Sequence, residues 1–232
     1  MLFGWFYFDW TILIVLPAFF FSLWAQLNVS STFKKYEKIH NARGITGAQA
    51  ARRILDENGL YNVSIEPVRG HLTDHYDPRS NVIRLSESVY HNTSAAAVGV
   101  AAHEAGHAVQ YAKGYSPIRL RAAIIPATRV GSMLSLPLFF IGLLMASDVL
   151  LLGGIALYAL VALFQLVTLP VEFNASSRAM AALRQGRVLN GEELSSARRV
   201  LTAAALTYVA ALATSLLTLL RLVVLAGGRR RN

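Results

Sequence analysis

Residues 130–170 read "VGSMLSLPLFFIGLLMASDVLLLGGIALYALVALFQLVTLP", about 40 apolar residues broken by the polar pair Ser147 and Asp148. At ~1.5 Å of rise per residue, such a run is twice what a single helix needs to cross a hydrocarbon core of about 30 Å. It therefore reads as two crossings, with Ser147 and Asp148 at the tip of a tight hairpin. Working outward, an earlier apolar segment, "FDWTILIVLPAFFFSLWAQL", runs from Phe8 to Leu27. Trp5, Trp10 and Trp24 sit where interfacial aromatics belong, and Pro17 suggests a kink. It has neither a basic leader nor a small-x-small cleavage site, so it reads as a span and not a cleaved signal. A last segment, Leu201 to Ala226, precedes "GGRRRN" and carries Arg221, placed to snorkel to the interface.

The composition agrees. Hydrophobic residues make up 54% of 232 residues, and the mean hydropathy is +0.44, high for a soluble globule. Five parts follow: 1–27, a first transmembrane segment; 28–129, a domain carrying the motif described below; 130–169, the hairpin; 170–200, a further helix; and 201–232, a fourth transmembrane segment with a basic tail. Because spans two and three form a hairpin, 28–129 and 170–200 emerge on one side. That side carries 18 Lys and Arg against three (Arg229, Arg230, Arg231) on the other. The positive-inside rule puts it in the cytoplasm, making a multi-pass protein of the cell membrane. The basic surface is expected to meet the lipid bilayer and not nucleic acid, for which there is no recognition motif. A transporter using Gln165, Thr168 and Thr214 is a weaker reading, since such uncharged groups commonly serve helix packing.

Between the first two spans, "ITGAQAARRILDENGL" has Thr46 as N-cap with Gln49 three residues on, and Gly59 as a stop. "YNVSIEPV" alternates into a strand through Val63 and Ile65. "HYDPRSNVIRLS" offers Asp77, Pro78 and Asn81 as turn residues before a second strand, Val82 to Leu85. A third helix begins at Ser94 and runs through "AAAVGVAAHEAGHAVQYAKG" to Gly114, its Ala and Gly content allowing neighbouring helices close approach.

Within it His103, Glu104 and His107 form H-E-x-x-H. Residues four apart lie on one helix face, so both imidazoles can serve one metal ion. Glu104, beside that face, can reach the ion's water without ligating. In this zincin arrangement zinc lowers the pKa of its water to about 7, and the Glu takes the proton as hydroxide attacks a peptide carbonyl. Chance would produce the pattern about 0.005 times in a chain of this composition. The competing reading is a structural pair of helical histidines. The chain has no cysteine, so any metal must be held by His, Glu or Asp.

A third ligand is required. The metzincin pattern would need His at position 113, where Lys113 stands. An intramembrane protease would use a later Asp, but Asp148 lies at the far end of the hairpin. The gluzincin solution, a Glu from a later helix, is met by Glu172 in "PVEFNASSRAMAAL", which the hairpin returns to the motif's side. A Glu near a helix N-terminus is also favoured by the dipole alone.

With these stretches in view, "STFKKY", "GHLTDHYDP", "AAHEAGHAVQ" and "LPVEFNAS", the sequence resembles the YugP-type family of membrane zinc metallopeptidases. It is more distantly similar to the HtpX and CAAX-prenyl-protease gluzincins. The resemblance implies a Zn2+-dependent peptidase with His103, His107 and Glu172 as ligands and Glu104 as general base, acting on protein or peptide. Members usually read "EFDAS", where this chain has Asn174; in the wider group an Asp four after the Glu supports the first histidine, and Ser176 stands there. Asn174, Ser176, Arg178 and His75 are candidates for supporting a ligand or stabilising a transition state, with Tyr76 and Tyr111 weaker ones. His71, Asp74, His75 and Asp77 could make a second metal site or a structural turn. In gluzincins a strand edge beside the motif helix holds substrate, a role open to Val82 to Leu85.

The expectation is thus a mostly α membrane protein. It has about four transmembrane helices and a small α+β zincin-like cytoplasmic part carrying an HExxH helix. Its expected function is that of a membrane-anchored zinc peptidase acting on membrane or membrane-proximal proteins. A non-catalytic zinc-binding scaffold or assembly factor is the alternative. Oligomeric state and any regulatory partner are not legible.

Overall fold

The structure is a computed structural model and describes residues 9–229. The readings that fell on Trp5, on the start of the first span at Phe8, and on Arg230 and Arg231 lie outside the described residues. In chain order the elements are α1 (Ile12–Tyr36), α2 (Gly47–Glu57), β1 (Ser64–Val68), β2 (His75–Asp77), β3 (Val82–Ser86), α3 (Glu87–Tyr90), α4 (Ala95–Ala112), α5 (Ser116–Leu144), α6 (Asp148–Gln185) and α7 (Gly191–Arg229). The protein is mostly helical, with one three-stranded sheet. Four of the helices, α1, α5, α6 and α7, are long and apolar enough to cross a membrane.

These four helices run further than their apolar stretches. Helix α5 starts at Ser116, well before Val130; α6 carries Pro170 inside it; and α7 starts at Gly191, ahead of Leu201. Glu172 therefore sits inside a continuous helix and does not open a new one, which removes the helix-dipole explanation for it. A proline is tolerated there because a helix whose other backbone groups are satisfied internally outweighs one missing donor.

The chain forms two compact units. One comprises residues up to Trp24, Ala123–Leu166 and those from Val209 on. In it α5 and α6 are joined by only three residues, 145–147, with Ala146 at φ 56°. The hairpin packs through glycine: a methyl on Gly142 would fall 2.7 Å from the Leu151 amide nitrogen, and one on Gly154 2.8 Å from that of Phe139. Thr214 shares a 3.0 Å hydrogen bond with Ser22, a packing role. Arg221 pairs with Asp9 at 2.5 Å and donates to the Thr11 hydroxyl at 3.1 Å.

The other unit, Ala25–Ala122 with Val167–Tyr208, holds the sheet and the motif helix. Helix α2 has the expected capping box: the Thr46 hydroxyl accepts from the Gln49 amide, and the Gln49 side chain accepts from that of Thr46. Its buried face, Ala50, Ala51, Ile54 and Leu55, joins Phe33, Ile83, Leu85, Val98 and Leu183 in one core.

The sheet order is β1-β3-β2, with β1 parallel and β2 antiparallel to β3. Two readings are corrected here. His75–Asp77 is a strand, not part of the turn: Tyr76 pairs with Ile83, and the turn is confined to 78–81, with Asn81 at φ 56°. Three residues are too few to display a period, so the turn formers beside them dominated the pattern. Val82 to Leu85 lies in the central strand, with both edges already paired, and offers no free edge to a peptide. The short helix α3 was not anticipated.

Candidate metal centre

Helix α4 starts where Ser94 accepts a hydrogen bond from the Ala97 amide at 3.1 Å and ends before Gly114, whose φ of 63° halts it. Most of the helix is buried, which for a sequence this rich in Ala and Gly means backbones in near contact. A methyl on Gly106 would lie 2.7 Å from the Ala175 carbonyl oxygen of α6, and one on Gly99 3.1 Å from the Ala197 Cβ of α7. The gap at Gly106 brings α6 close enough for a carboxylate to reach the motif histidines.

That carboxylate is Glu172, 2% exposed. Its Oε2 stands 3.2 Å from His103 Nε2 and 3.5 Å from His107 Nε2, and ligating atoms of the three residues all lie within 4.8 Å of one another. A tetrahedral ion with bonds of about 2.0–2.1 Å separates its ligand atoms by about 3.3 Å. Two imidazole nitrogens and a carboxylate oxygen at this spacing fit zinc in donor type and in size.

Each imidazole is held from behind. His103 Nδ1 is 3.1 Å from the Ser176 hydroxyl, and His107 Nδ1 is 3.0 Å from Gln110 Oε1. Pinning Nδ1 leaves Nε2 of both rings turned toward Glu172. Fully buried Gln110 also donates its amide to the Val171 carbonyl at 2.8 Å and to Asn174 Oδ1 at 3.0 Å. Glu172 Oε1 accepts from Arg121 Nη1 at 3.1 Å, which leaves Oε2 for the histidines.

Burial alone would depress the pKa of His107, but hydrogen bonding to Glu172 and the charge of nearby Glu104 more than offset it, and the pKa lies above the ordinary histidine value. Glu104 itself is 8% exposed and has no hydrogen-bond partner among the described residues. Asp74 is close enough for the two acids to repel. Burial raises the Asp74 carboxyl above its usual range, although the Ser86 amide and hydroxyl both donate to it.

The other predicted residues divide. Ser176 touches His103 directly. Asn174 touches neither histidine; its Oδ1 accepts from Gln110 and, at 2.7 Å, from Arg178 Nε, so both residues reach the centre only through Gln110. An Asp at that position would offer the same acceptor oxygen. His75 is exposed, with Nδ1 2.8 Å from the Thr73 carbonyl, and is not part of the His103, His107 and Glu172 cluster. The residues from His71 to Asp77 are used separately: His71 meets the Phe33 ring edge-on, Asp74 holds Ser86, and Asp77 holds the turn. They form no second metal-holding group among the described residues. Tyr76 donates to Asn81, and its ring stands 5.7 Å from that of Tyr111.

Gln110, Arg121 and Tyr208 were missed. Tyr208 of α7 stands against Glu172, Glu104 and Arg121. Only Gln110 had a signal, its position three residues after His107 on the same helix face. Arg121 looked like one more cation of a basic segment, and Tyr208 like one more aromatic in an apolar run.

The family model described as "Putative neutral zinc metallopeptidase" matches residues 11–227, and the chain belongs to that family. One relative, "Putative membrane protease YugP" of Bacillus subtilis (strain 168), is 49% identical over 224 residues, covering 95% of this chain and 99% of the relative. No solved structure matches the chain significantly. With the four apolar helices, the relationship marks a membrane protein of a zinc metallopeptidase family.

Proposed function

We propose that the protein is a membrane-anchored zinc peptidase of the gluzincin type. His103, His107 and Glu172 hold the metal, and Glu104 is the general base. The observation that carries this reading is the placement of one Glu172 oxygen 3.2 and 3.5 Å from two Nε2 atoms, with each Nδ1 bonded elsewhere. Zinc there would supply Lewis acidity, polarising a peptide carbonyl and lowering the pKa of water to about 7.

The chain's own residues do the rest. Buried Glu104, without a side-chain partner among the described residues, accepts the proton of the attacking water and returns it to the leaving amine. Arg121 holds Glu172 so that a single oxygen faces the histidines. Segments 28–129 and 170–200 together supply these groups as a small zincin-like part. The charge asymmetry supports a cytoplasmic position for it, and the spans favour protein or peptide substrates in or beside the bilayer. A scaffold that only stores zinc has no use for Glu104, so the catalytic reading is preferred.

The test has two parts. Metal analysis of purified wild type should find zinc that His103→Ala and Glu172→Ala lose; zinc retained by Glu172→Ala would show the third ligand to be wrongly assigned. Glu104→Gln should keep zinc yet lose cleavage of a denatured protein reporter by about 10²-fold or more. Equal cleavage by both forms would refute the peptidase.

A further inference from the structure

Away from the His103–His107–Glu172 cluster, a cleft of about 480 Å³ lies between the last turns of α1 and the early turns of α7. Lys35, Arg198 and Arg199 line it together with the hydroxyls of Thr32, Ser195 and Thr202, and its wall contains no acidic residue. Among the described residues none of these three cations makes an ion pair. Three cations lining one cleft, with hydroxyl groups beside them and no ion-pair partner among the described residues, are a complement for a phosphate.

Two further features favour a lipid over a free anion. First, the polar lining begins where both helices leave their apolar stretches: Asn28 follows Leu27 on α1, and Arg198 and Arg199 precede Leu201 on α7. Second, Arg198 and Thr202 also border an adjoining cavity of about 490 Å³ whose wall includes Phe173, Met180, Leu201 and Ala205 beside Ser176, Ser177 and Arg184. A phosphate on Arg198 thus has apolar wall beside it for a hydrocarbon chain. We infer that the cleft of Lys35, Arg198 and Arg199 is a binding site for the head group of an anionic phospholipid.

The test is native mass spectrometry of the full chain in detergent, titrated with phosphatidylglycerol or phosphatidylcholine. Wild type should bind phosphatidylglycerol at least tenfold more tightly than phosphatidylcholine. The variant K35Q/R198Q/R199Q should lose that preference, a fall of about 150-fold at ~1 kcal/mol for each of three cations. K35R/R198K/R199K should restore most of it, and K34Q/K38Q, which neutralises exposed cations outside the cleft, should leave it unchanged. Circular dichroism and zinc content, equal in all forms, separate loss of the site from loss of the fold. Equal binding of the two lipids, unchanged preference in the triple glutamine variant, or displacement of the lipid by millimolar inorganic phosphate would each overturn the assignment.

Discussion

Replacing Gln110 by leucine tests the architecture of the centre more sharply than removing a ligand, because the side chain touches no metal. The two side chains are similar in volume, so packing is nearly conserved, and what disappears is three hydrogen bonds of a fully buried amide. Asn174 keeps its bond from Arg178, whereas His107 Nδ1 loses its acceptor and the Val171 carbonyl loses a side-chain donor. At about 1–3 kcal/mol for a buried group left unpaired, discounted for a carbonyl that remains within a helix, the fold should lose about 2–4 kcal/mol. An imidazole freed at Nδ1 should cost zinc affinity about 10- to 100-fold. Gln110→Glu separates the two effects: it still accepts from His107 but cannot donate to Val171 or Asn174, so stability falls while zinc affinity stays near wild type. Chelator competition gives the affinity, and thermal unfolding in detergent gives the stability. Zinc binding by Gln110→Leu within twofold of wild type, or equal loss in both variants, would refute the claim that Gln110 orients His107.

Gly106→Ala should lower stability by about 1–3 kcal/mol, because a methyl 2.7 Å from the Ala175 carbonyl meets backbone that cannot step aside. Gly191→Ala, whose methyl meets nothing within 4 Å, should change the same unfolding midpoint little, and equal effects would discount the helix contact. Arg121→Leu removes the cation on Glu172 Oε1 and should destabilise by about 1–3 kcal/mol in excess chelator, allowing for an arginine side chain 30% exposed, and by less with saturating zinc. A loss indifferent to metal would mean that Arg121 does not answer the charge of Glu172. In the β2–β3 turn the Ser80 hydroxyl, then the Arg79 amide, hold the Asp77 carboxyl down from 3.8 to about 2. A depressed folded value contributes stability above the unfolded one, lost as pH falls through about 2. Hydrogen exchange at the Arg79 amide, corrected for intrinsic rate, should show that loss below pH 4, and Asp77→Asn should flatten it. The same pH slope in the variant would rule out Asp77 as its source.

Much of the fold was legible because its causes are local. Apolar length makes spans visible, and Thr46 with Gln49 or Ser94 ahead of an alanine run makes helix starts visible, since the groups that satisfy one another lie within a few residues. The failures were matters of tertiary context. Pro170 is a stop signal by itself, and only in the structure does it lie within a helix that passes unbroken from Asp148 to Gln185. β3 reads like any short strand, and only its pairing with β1 on one side and β2 on the other makes it central and unavailable. The ion pair of Arg221 with Asp9 was likewise invisible, because the two stand 212 residues apart in sequence.

At the metal centre the same division has a geometric cause. On α4 the residues that matter are 103, 106, 107 and 110; on α6 they are 172, 175 and 176. Both sets repeat at the three- and four-residue intervals that place side chains on one helical face. The two faces meet at Gly106 and Ala175, so the contact that sets the helix separation lies between the contacts that set the chemistry: Glu172 on the two Nε2 atoms and Ser176 on His103 Nδ1. Spacing along each helix is written in the sequence, which is why the histidines and their glutamate could be named as candidates. The register of one helix against the other is not written there. A rotation or slip of α6 by one residue, about 100° or 1.5 Å, would carry Glu172 and Ser176 away together. The two should therefore fail together when Gly106 is enlarged, with zinc affinity and helix packing lost as one event.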